Sequence, residues 1–173
     1  MPKQHTYVLG LNTYDHDVSA CLLRDGAIAF AIAKERITRE KHATGFYKEV
    51  IDYCLDAEGI RLDDVDLIEL HDCFATAEIV HYENLGLCKD GEAGRMIDSG
   101  ATQLGGRIPV NVSGGLLSKG HPLGATGIAN IYEVTTHLRG EAGNRQVEGA
   151  RIGLTHVVGA GSACAVHILE KAQ

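Results

Sequence analysis

A histidine between glycines is the residue best suited to chemistry in this chain. His121 lies in the run Gly120-His121-Pro122-Leu123-Gly124, directly before an apolar periodic segment that predicts a helix. The glycines on either side let a substrate approach the imidazole closely. A helix N-terminus disfavours the imidazolium, so the neutral ring can act as a base or as a hydrogen-bond donor. We therefore expect His121 to belong to a reactive site.

A second polar group follows an apolar run, Val65 to Leu70, that predicts a buried strand. His71 ends this run, and Asp72 and Cys73 come next in the chain. Ligand sites of α/β sheets lie where strands end and helices begin. We therefore expect His71, Cys73, His121 and the loop from Gly159 to Gly161 to converge, with the two imidazoles linked directly or through one water.

The cysteines argue against both a nucleophile and a metal site. The chain has 5 Cys, an odd number without CxxC spacing, which predicts reduced thiols, no disulfide framework and no zinc site. A nucleophilic cysteine needs a helix start and a nearby base to lower its pKa. Neither is predicted for the four cysteines that lie in a strand, on an apolar helical face, after a helix and in a hairpin: Cys21, Cys54, Cys88 and Cys164.

The elements that must position these residues alternate between strand and helix patterns. Asp25-Gly26 predicts a hairpin spanning Val18 to Ala33, and the polar, Gly-rich stretch from Lys89 to Gly106 predicts a long loop. A closing hairpin is expected around Gly159-Ala160-Gly161. The remaining patterns predict helices over Tyr47 to Gly59, Phe74 to Leu85 and Ala125 to Leu138, and strands over Tyr7 to Asn12, Ile108 to Val112, Ile152 to Val158 and Ala163 to Leu169.

This order of elements predicts an α/β fold with a layered, mixed sheet in one compact unit. The run Val65 to Leu70 is continuously apolar between two helices, which is typical of a central strand. We expect the hairpin Val18 to Ala33 to pair beside it. Pro122 is expected in the first turn of the following helix, where its missing N–H costs nothing.

Length and charge exclude several classes of protein. The 173 residues predict one domain, which can bury about 70% of its unfolded surface without a disulfide or metal. The net charge of -7 argues against a nucleic-acid partner, which needs a basic face. No apolar run reaches the ~18 residues of a membrane span, and no signal peptide is recognised, so we expect a cytoplasmic protein. The chain has no GxxxxGK[ST] motif and no strand-linked GxGxxG, which argues against nucleotide binding.

The first part of the chain carries one set of family-like stretches: Leu9-Gly10-Leu11-Asn12, His16-Asp17-Val18-Ser19-Ala20 and Glu35-Arg36-Ile37-Thr38-Arg39-Glu40-Lys41-His42. Through them, residues 1–64 resemble the start of the O-carbamoyltransferase family, whose first domain has an actin/ribonuclease-H-like fold. The resemblance implies His16 and Asp17 as site residues and a reaction that uses a nucleotide and carbamoyl phosphate. The paired His metal ligands of that family have no match here.

A second set of motifs follows in the chain: His71-Asp72-Cys73-Phe74, Tyr82-Glu83-Asn84-Leu85-Gly86-Leu87, Val110-Asn111-Val112-Ser113-Gly114-Gly115, Gly120-His121-Pro122-Leu123-Gly124-Ala125-Thr126-Gly127 and Arg145-Gln146-Val147-Glu148-Gly149. Through them, residues 65–173 resemble the C-terminal part of a thiolase, most closely the sterol-carrier-protein type. The two resemblances together predict a chimera-like protein.

The thiolase resemblance assigns roles to the candidate residues. It implies that His121 activates a cysteine nucleophile and helps to hold the thioester oxygen, that His71 acts through water in the same oxyanion hole, and that Cys73 is a second acid/base. It implies a coenzyme A thioester as substrate, with no covalently bound cofactor and no metal. The acylated cysteine of the family comes from an earlier part of a longer chain and has no match here. The implied substrate and oxyanion loops contain Ser113, Gly114, Gly120, Gly159 and Gly161.

Three functions stay open at this point. The first is a thiolase-family acyltransferase half-site without its nucleophile, inactive alone, whose partner is a missing thiolase half in trans or a second copy. The second is a non-catalytic α/β hybrid. The third is a carbamoyltransferase-like protein. A thiolase-fold aldolase, which needs no acyl cysteine, is a minor variant of the first.

Overall fold

The computed structural model describes residues 7–12, 18–43, 48–159 and 163–171. Strands and helices alternate along most of these residues. The strands are β1 (Tyr7–Asn12), β2 (Ser19–Arg24), β3 (Ala27–Ala33), β4 (Leu67–Glu69), β5 (Ile152–Val158) and β6 (Ala163–Glu170). The α-helices are α1 (Lys34–Thr38), α2 (Lys48–Asp56), α3 (Ala75–Asn84), α4 (Ala93–Asp98), α5 (Gly115–Lys119) and α6 (Thr126–Arg139).

The six described strands form one mixed sheet in the order β3-β2-β1-β6-β5-β4. Strand β4 runs parallel to β5, and the other neighbours are antiparallel. The predicted hairpin joins β2 to β3 through Asp25 and Gly26, whose φ angles of 53° and 81° are those of a two-residue type I′ turn. The closing hairpin forms β5 and β6. The α/β class and the mixed sheet are confirmed.

The predicted place of the N-terminal hairpin is wrong. The β2–β3 hairpin lies at the opposite end of the sheet from β4, because the closing hairpin β5–β6 separates them. Strand β6 is a buried strand within the sheet; Val166 is 0% and Ile168 2% exposed. It pairs with β1 on one side and with β5 on the other. Both predicted segments of the chain therefore contribute strands to a single sheet.

Strand β4 is short, entirely buried and last in the sheet. The segment that follows α4 covers its outer side. Ile68 forms an isolated parallel bridge with Val110, its N–H donates to Pro109 O at 2.9 Å, and its carbonyl accepts from Asn111 N–H at 2.8 Å. The predicted strand Ile108 to Val112 is thus reduced to one bridge. The prediction of a central strand over Val65 to Leu70 is wrong, because β4 is the last strand of the sheet and is buried by the segment around Val110 rather than by a second flanking strand.

Helices pack on both faces of the sheet. Helix α2 buries Val50 and Ile51 in the larger core cluster, which contains Leu154 of β5. Helix α6 buries Val134 in a second cluster with Leu67 of β4. Alternate residues of a strand point to opposite faces. Leu67 and its neighbour Ile68 belong to different clusters, so α2 and α6 lie in different layers.

The predicted helices α2 and α3 lie within their predicted segments, and α6 begins and ends one residue later than predicted. Helix α6 begins at Thr126, so Pro122 precedes it rather than standing in its first turn; the Pro122 carbonyl accepts from Thr126 N–H at 3.2 Å. Gly140, with φ of 76°, ends this helix as predicted. The long polar loop predicted from Lys89 to Gly106 contains helix α4.

Candidate functional site

A cavity of about 930 Å³ lies where β4 ends and α6 begins. Its wall is mostly apolar and carries several imidazoles. A cavity of this size suits a small ligand. The lining residues are His71, Cys73, Phe74, His81, His121, Leu123, Gly124, Thr126, Gly127, Val157, Val158, Gly159, Cys164 and Ala165.

The structure brings two of the predicted histidines into contact across this cavity. The ring centroids of His71 and His121 are 4.8 Å apart, with an angle of 83° between the ring planes. His71 follows the buried strand β4, whereas His121 precedes helix α6 and is exposed. The distance is short enough for both imidazoles to reach one substrate atom, directly or through a water.

A contact with Thr126 orients the ring of His121. The Thr126 hydroxyl oxygen lies 2.7 Å from His121 Nδ1 and 3.1 Å from Pro122 O. When the hydroxyl donates to Pro122 O, Nδ1 carries the ring proton and Nε2 can accept one. When the hydroxyl donates to Nδ1, Nε2 carries the proton and can donate to a substrate oxygen.

His71 is held neutral by its surroundings. Its side chain is 5% exposed. Burial, followed by the positive charge that His121 can carry, lowers the pKa of His71, and Asp72 opposes this. A neutral imidazole can donate or accept a hydrogen bond without a charge having to be buried.

Asp72 positions the loop between the two histidines. Its carboxylate accepts hydrogen bonds from Leu116 N–H at 2.7 Å and from Leu117 N–H at 3.4 Å, at the first turn of α5. Gly115, at φ of 61°, leaves room for this carboxylate, because a Cβ there would overlap Asp72 Oδ2. Gly115 is thus explained by close packing against Asp72, and Gly114 by its φ of 99° and its approach to Ser118.

The residues of the predicted substrate loop lie in different places. Gly159 lines the cavity, but Ser113, Gly114 and Gly120 do not. The Ser113 hydroxyl donates to the buried Glu69 carboxylate and accepts from Lys119 Nζ at 2.7 Å. This network connects β4 to α5 beside the cavity.

Three predicted site residues lie outside the described residues: His16, Asp17 and Gly161.

A second imidazole pair beside the cavity was not predicted from the sequence. The rings of His81 and His156 are 4.4 Å apart. Burial, together with the charge that His71 can carry, lowers the pKa of His81 to about 4, and burial lowers that of the fully buried His156 well below its usual value. His81 lies on α3, seven residues or about two helical turns after Phe74, so helical periodicity could have placed it on the same side as the HDCF motif. The position of His156 could not be predicted in this way, because it depends on where β5 lies in the sheet.

The cysteines occupy the environments that the sequence predicts. Burial raises the pKa of Cys54 to about 11 and that of Cys164 to about 12, and it also raises that of Cys88. Cys21 is half-buried within strand β2. None of these four begins a helix. Cys73 lines the cavity, one residue before the N-cap of α3.

Two other types of site are absent from the described ranges. No group of three or more His, Cys, Asp or Glu side chains there is arranged to hold a metal ion. None of the helices within them has the length and apolar character to cross a bilayer.

Comparison with protein families gives a match over most of the chain. The family model described as thiolase C-terminal domain-like matches residues 31–171. Support for a carbamoyltransferase-type N-terminal segment is lacking in the comparisons, so that part of the sequence interpretation stays a prediction.

Curated relatives agree with this match. Sterol carrier protein 2 of Bos taurus is 51% identical over 123 residues, which are 71% of this chain and 23% of that protein. Acetyl-CoA acetyltransferase of Methanothermobacter thermautotrophicus is 56% identical over 109 residues, 62% of this chain and 28% of that protein. Benzoylsuccinyl-CoA thiolase subunit BbsB of Thauera aromatica is 42% identical over 107 residues, 61% of this chain and 28% of that protein. The match thus spans less than a third of each relative.

A solved structure titled Ltp2-ChsH2(DUF35) aldolase has a similar fold. It matches with a TM-score of 0.63 and 24% sequence identity, over 75% of this chain and 34% of that chain.

Proposed function

This chain belongs to the family of thiolase C-terminal domain-like proteins, and we infer that it supplies one half of an acyl-CoA site. In this proposal His121, His71 and Cys73 bind and polarise the thioester of a coenzyme A substrate. The cysteine that would carry the acyl group comes from another segment or another chain. Alone, the chain binds the thioester weakly and does not turn it over.

The contact between His71 and His121 is the observation that carries this proposal. An oxyanion hole needs donors that are already in place where negative charge develops. Burial and the neighbouring imidazole keep His71 neutral, and Thr126 orients the ring of His121. The apolar wall, which includes the exposed side chains of Phe74 and Leu123, suits an acyl group.

The cysteines support the second part of the proposal, that the half-site lacks its nucleophile. Acyl transfer through an enzyme thioester requires a thiolate. Cys164 lines the cavity, but burial raises its pKa to about 12, which keeps it as a thiol at neutral pH. Loss of a nucleophile that works as a unit with its base can cost roughly 10⁶-fold in kcat.

The test combines an acetoacetyl-CoA cleavage assay with mass spectrometry of the purified chain. We expect no turnover and no acetyl adduct. A burst of product with an acetyl group on Cys73 or Cys88 would show that a resident cysteine acts as the nucleophile and would overturn the half-site proposal.

Calorimetric titration with acetoacetyl-CoA tests the binding part separately. We expect His121→Ala to weaken binding about tenfold, the size of one lost hydrogen bond to a polarised oxygen. The matched control is His42→Asn, which removes an exposed imidazole outside the cavity at a φ of 57° that asparagine accepts. Equal affinity of His121→Ala and the wild-type chain would contradict the proposed role of His121.

A second candidate is carbon–carbon cleavage of a β-hydroxyacyl-CoA without an acyl-enzyme. The tautomer of His121 that is protonated at Nδ1 favours it, because Nε2 can then take the hydroxyl proton with no cysteine involved. The solved structure with a similar fold carries the word aldolase in its title. Release of an aldehyde from such a thioester, abolished by His121→Ala, would distinguish this reaction from acyl transfer.

A further inference from the structure

A second cavity, of about 670 Å³, lies at the end of the β5–β6 hairpin that is opposite to the candidate site. Val158 and Cys164, where β5 ends and β6 begins, line the candidate site. Arg151 and Lys171, at the other end of the hairpin, line the second cavity. His137, in the last turn of α6, belongs to the same wall. We call this place the Arg151 cavity, and its volume suits a small ligand.

Two positive side chains stand next to each other at the Arg151 cavity. Ile152 pairs with Glu170, and beyond this pair Lys171 N–H donates to Arg151 O at 2.7 Å, so these two residues lie opposite each other. Both are exposed, and within the part of the chain that the structure describes neither side chain has a carboxylate or hydrogen-bond partner. Like charges directly opposite each other on paired strands are destabilising. An anion between them would offset this repulsion.

The alternation of side chains along the hairpin places both cations on the face of the sheet that α6 covers. Gly153 and Leu169 are paired with each other. A Cβ on Gly153 would overlap Val134 of α6, and Leu169 packs against the cluster that contains Val134. Residues two apart on a strand point to the same face. Arg151 and Lys171 are two residues from Gly153 and Leu169, so they share the face on which α6 ends.

His137 adds a buried donor without an acceptor. Its side chain is 1% exposed. Val147 N–H donates to Nδ1 at 3.1 Å, so the neutral ring carries its hydrogen on Nε2. Burial, followed by the charge of Arg145, lowers the pKa of His137 and favours this neutral form. Among the described residues Nε2 has no hydrogen-bond partner, and a buried N–H without an acceptor is unfavourable.

The end of helix α6 carries partial negative charge on its last carbonyls, which opposes an anion. Two of these carbonyls are already hydrogen-bonded. His137 O accepts from Gln146 Nε2 at 2.9 Å and from Gly140 N–H at 3.0 Å. Thr136 O accepts from Glu141 N–H at 3.0 Å. These bonds weaken the repulsion between the helix end and an anion in the cavity.

The donors of this wall suit a phosphate group better than a carboxylate. The guanidinium, the ammonium and the imidazole N–H come from three separate segments, and a tetrahedral phosphate offers oxygens in several directions, whereas a carboxylate offers two in one plane. Arginine and lysine are the usual side chains that bind phosphate. The wall has two cations, Arg151 and Lys171, and one carboxylate, Glu148, in a chain whose net charge is -7. The excess of positive charge is therefore local.

We propose that the Arg151 cavity binds a phosphate group, either free or as part of a small phosphorylated molecule. Arg151 and Lys171 neutralise its charge, and His137 Nε2–H donates to one of its oxygens. The bound phosphate removes the repulsion between the two cations and gives the buried imidazole its acceptor. This site is separate from the candidate acyl-CoA site, and the proposal does not depend on the proposed function.

Calorimetric titration of the full chain with inorganic phosphate, at constant ionic strength, tests the binding. We expect Arg151→Gln and Lys171→Gln each to weaken binding about tenfold or more, the size of one lost charge-assisted hydrogen bond. The matched control is Lys89→Gln, at an exposed lysine outside the cavity, which should bind phosphate as the wild-type chain does. Circular dichroism verifies that each variant is folded. Equal weakening in all three variants would mean that only net charge matters and would overturn the proposal.

Nitrogen-15 spectra of His137 give a second measurement on the wild-type chain. Its Nε2–H signal should shift on addition of phosphate, and this shift should be reduced in Arg151→Gln. Absence of the shift and of binding heat up to about 10 mM phosphate would overturn the proposal. So would acetate that binds as tightly as phosphate, because the site would then not be one for phosphate. Tighter binding of glycerol 3-phosphate than of inorganic phosphate would identify a phosphorylated molecule as the ligand, and the reverse order would identify free phosphate.

Discussion

At the scale of single residues, the protonation state of the site depends on one hydroxyl. Thr126 Oγ1 contacts both His121 Nδ1 and Pro122 O, so the direction of its hydroxyl proton decides which ring nitrogen of His121 is protonated. The sequence shows a threonine five residues after the histidine, but it does not show that the chain turns between them. The orientation of the catalytic base in the proposal therefore depends on a contact made before the helix begins.

We predict that Thr126→Val frees the ring of His121. Valine has a similar shape but no hydroxyl, so the ring should lose its hydrogen bond at Nδ1 and its fixed orientation, and acetoacetyl-CoA binding should weaken roughly 3- to 10-fold. Nitrogen-15 chemical shifts of His121 report the hydrogen bond and the tautomer directly. The matched control is Thr136→Val on the same helix, which removes a 2.8 Å bond to Tyr132 O and no contact with a histidine. Unchanged shifts in Thr126→Val would contradict the contact between Thr126 and His121.

At the scale of elements, two close approaches hold the site. The Asp72 carboxylate accepts a hydrogen bond from Leu116 N–H in the first turn of α5, and it can come this close because Gly115 has no Cβ. Helix α6, which follows His121, packs on β5 at Gly153, where a Cβ would overlap Val134 Cγ1 and come within 3.1 Å of Leu67 Cδ2. The distance between α6 and the sheet is therefore set by the absence of one side chain.

We predict that Gly153→Ala lowers the free energy of unfolding by about 1–3 kcal/mol, the usual cost of overpacking. Val134→Ala removes the overlapping methyl groups, so the double variant should be less destabilised than the sum of the two single variants. Urea denaturation of the four proteins measures this coupling. Gly94→Ala, in α4 with nothing near its added Cβ, should not destabilise the chain. Additive effects at Gly153 and Val134 would argue against the packing described here.

At the scale of the whole molecule, the cavity brings together imidazoles that are far apart in the sequence. His71, His81 and His156 all have pKa values lowered chiefly by burial. The unfolded chain exposes them at an ordinary pKa near 6.5. Unfolding therefore takes up protons below that pH, and folding excludes them. The raised pKa values of Glu69 and Glu78 act in the opposite direction.

We predict that the stability contributed by neutral His81 is complete above pH 6.5 and is lost as the pH falls towards 4, its pKa in the fold. In that interval, the unfolding constant of the wild-type chain should rise, relative to that of His81→Gln, by up to about tenfold per pH unit. Urea titrations from pH 7 to pH 4.5 give the comparison, and His42→Asn serves as the exposed-histidine control. A pH dependence of His81→Gln equal to that of the wild-type chain would contradict the prediction.

The sequence alone determined the features that depend on neighbouring residues. Asp25-Gly26 requires the positive φ angles of a tight hairpin, and the apolar spacing of Val50, Ile51, Cys54 and Leu55 requires one buried helical face. The motifs around His71 and His121 identified the thiolase-like family. Whether each cysteine lies in a strand, a helix or a turn could also be predicted, because it depends on the neighbouring residues in the sequence.

The tertiary structure decided what depends on contacts between distant segments. The neighbours of the N-terminal hairpin could not be predicted, because strands of similar apolar pattern compete for the same edge until the whole sheet is formed. The closing hairpin takes the place beside β4, and β6 pairs with β1. The same long-range pairing brings His156 of β5 against His81 of α3. Periodicity reports which face of an element is buried, but the partner on that face is selected by packing of the complete chain.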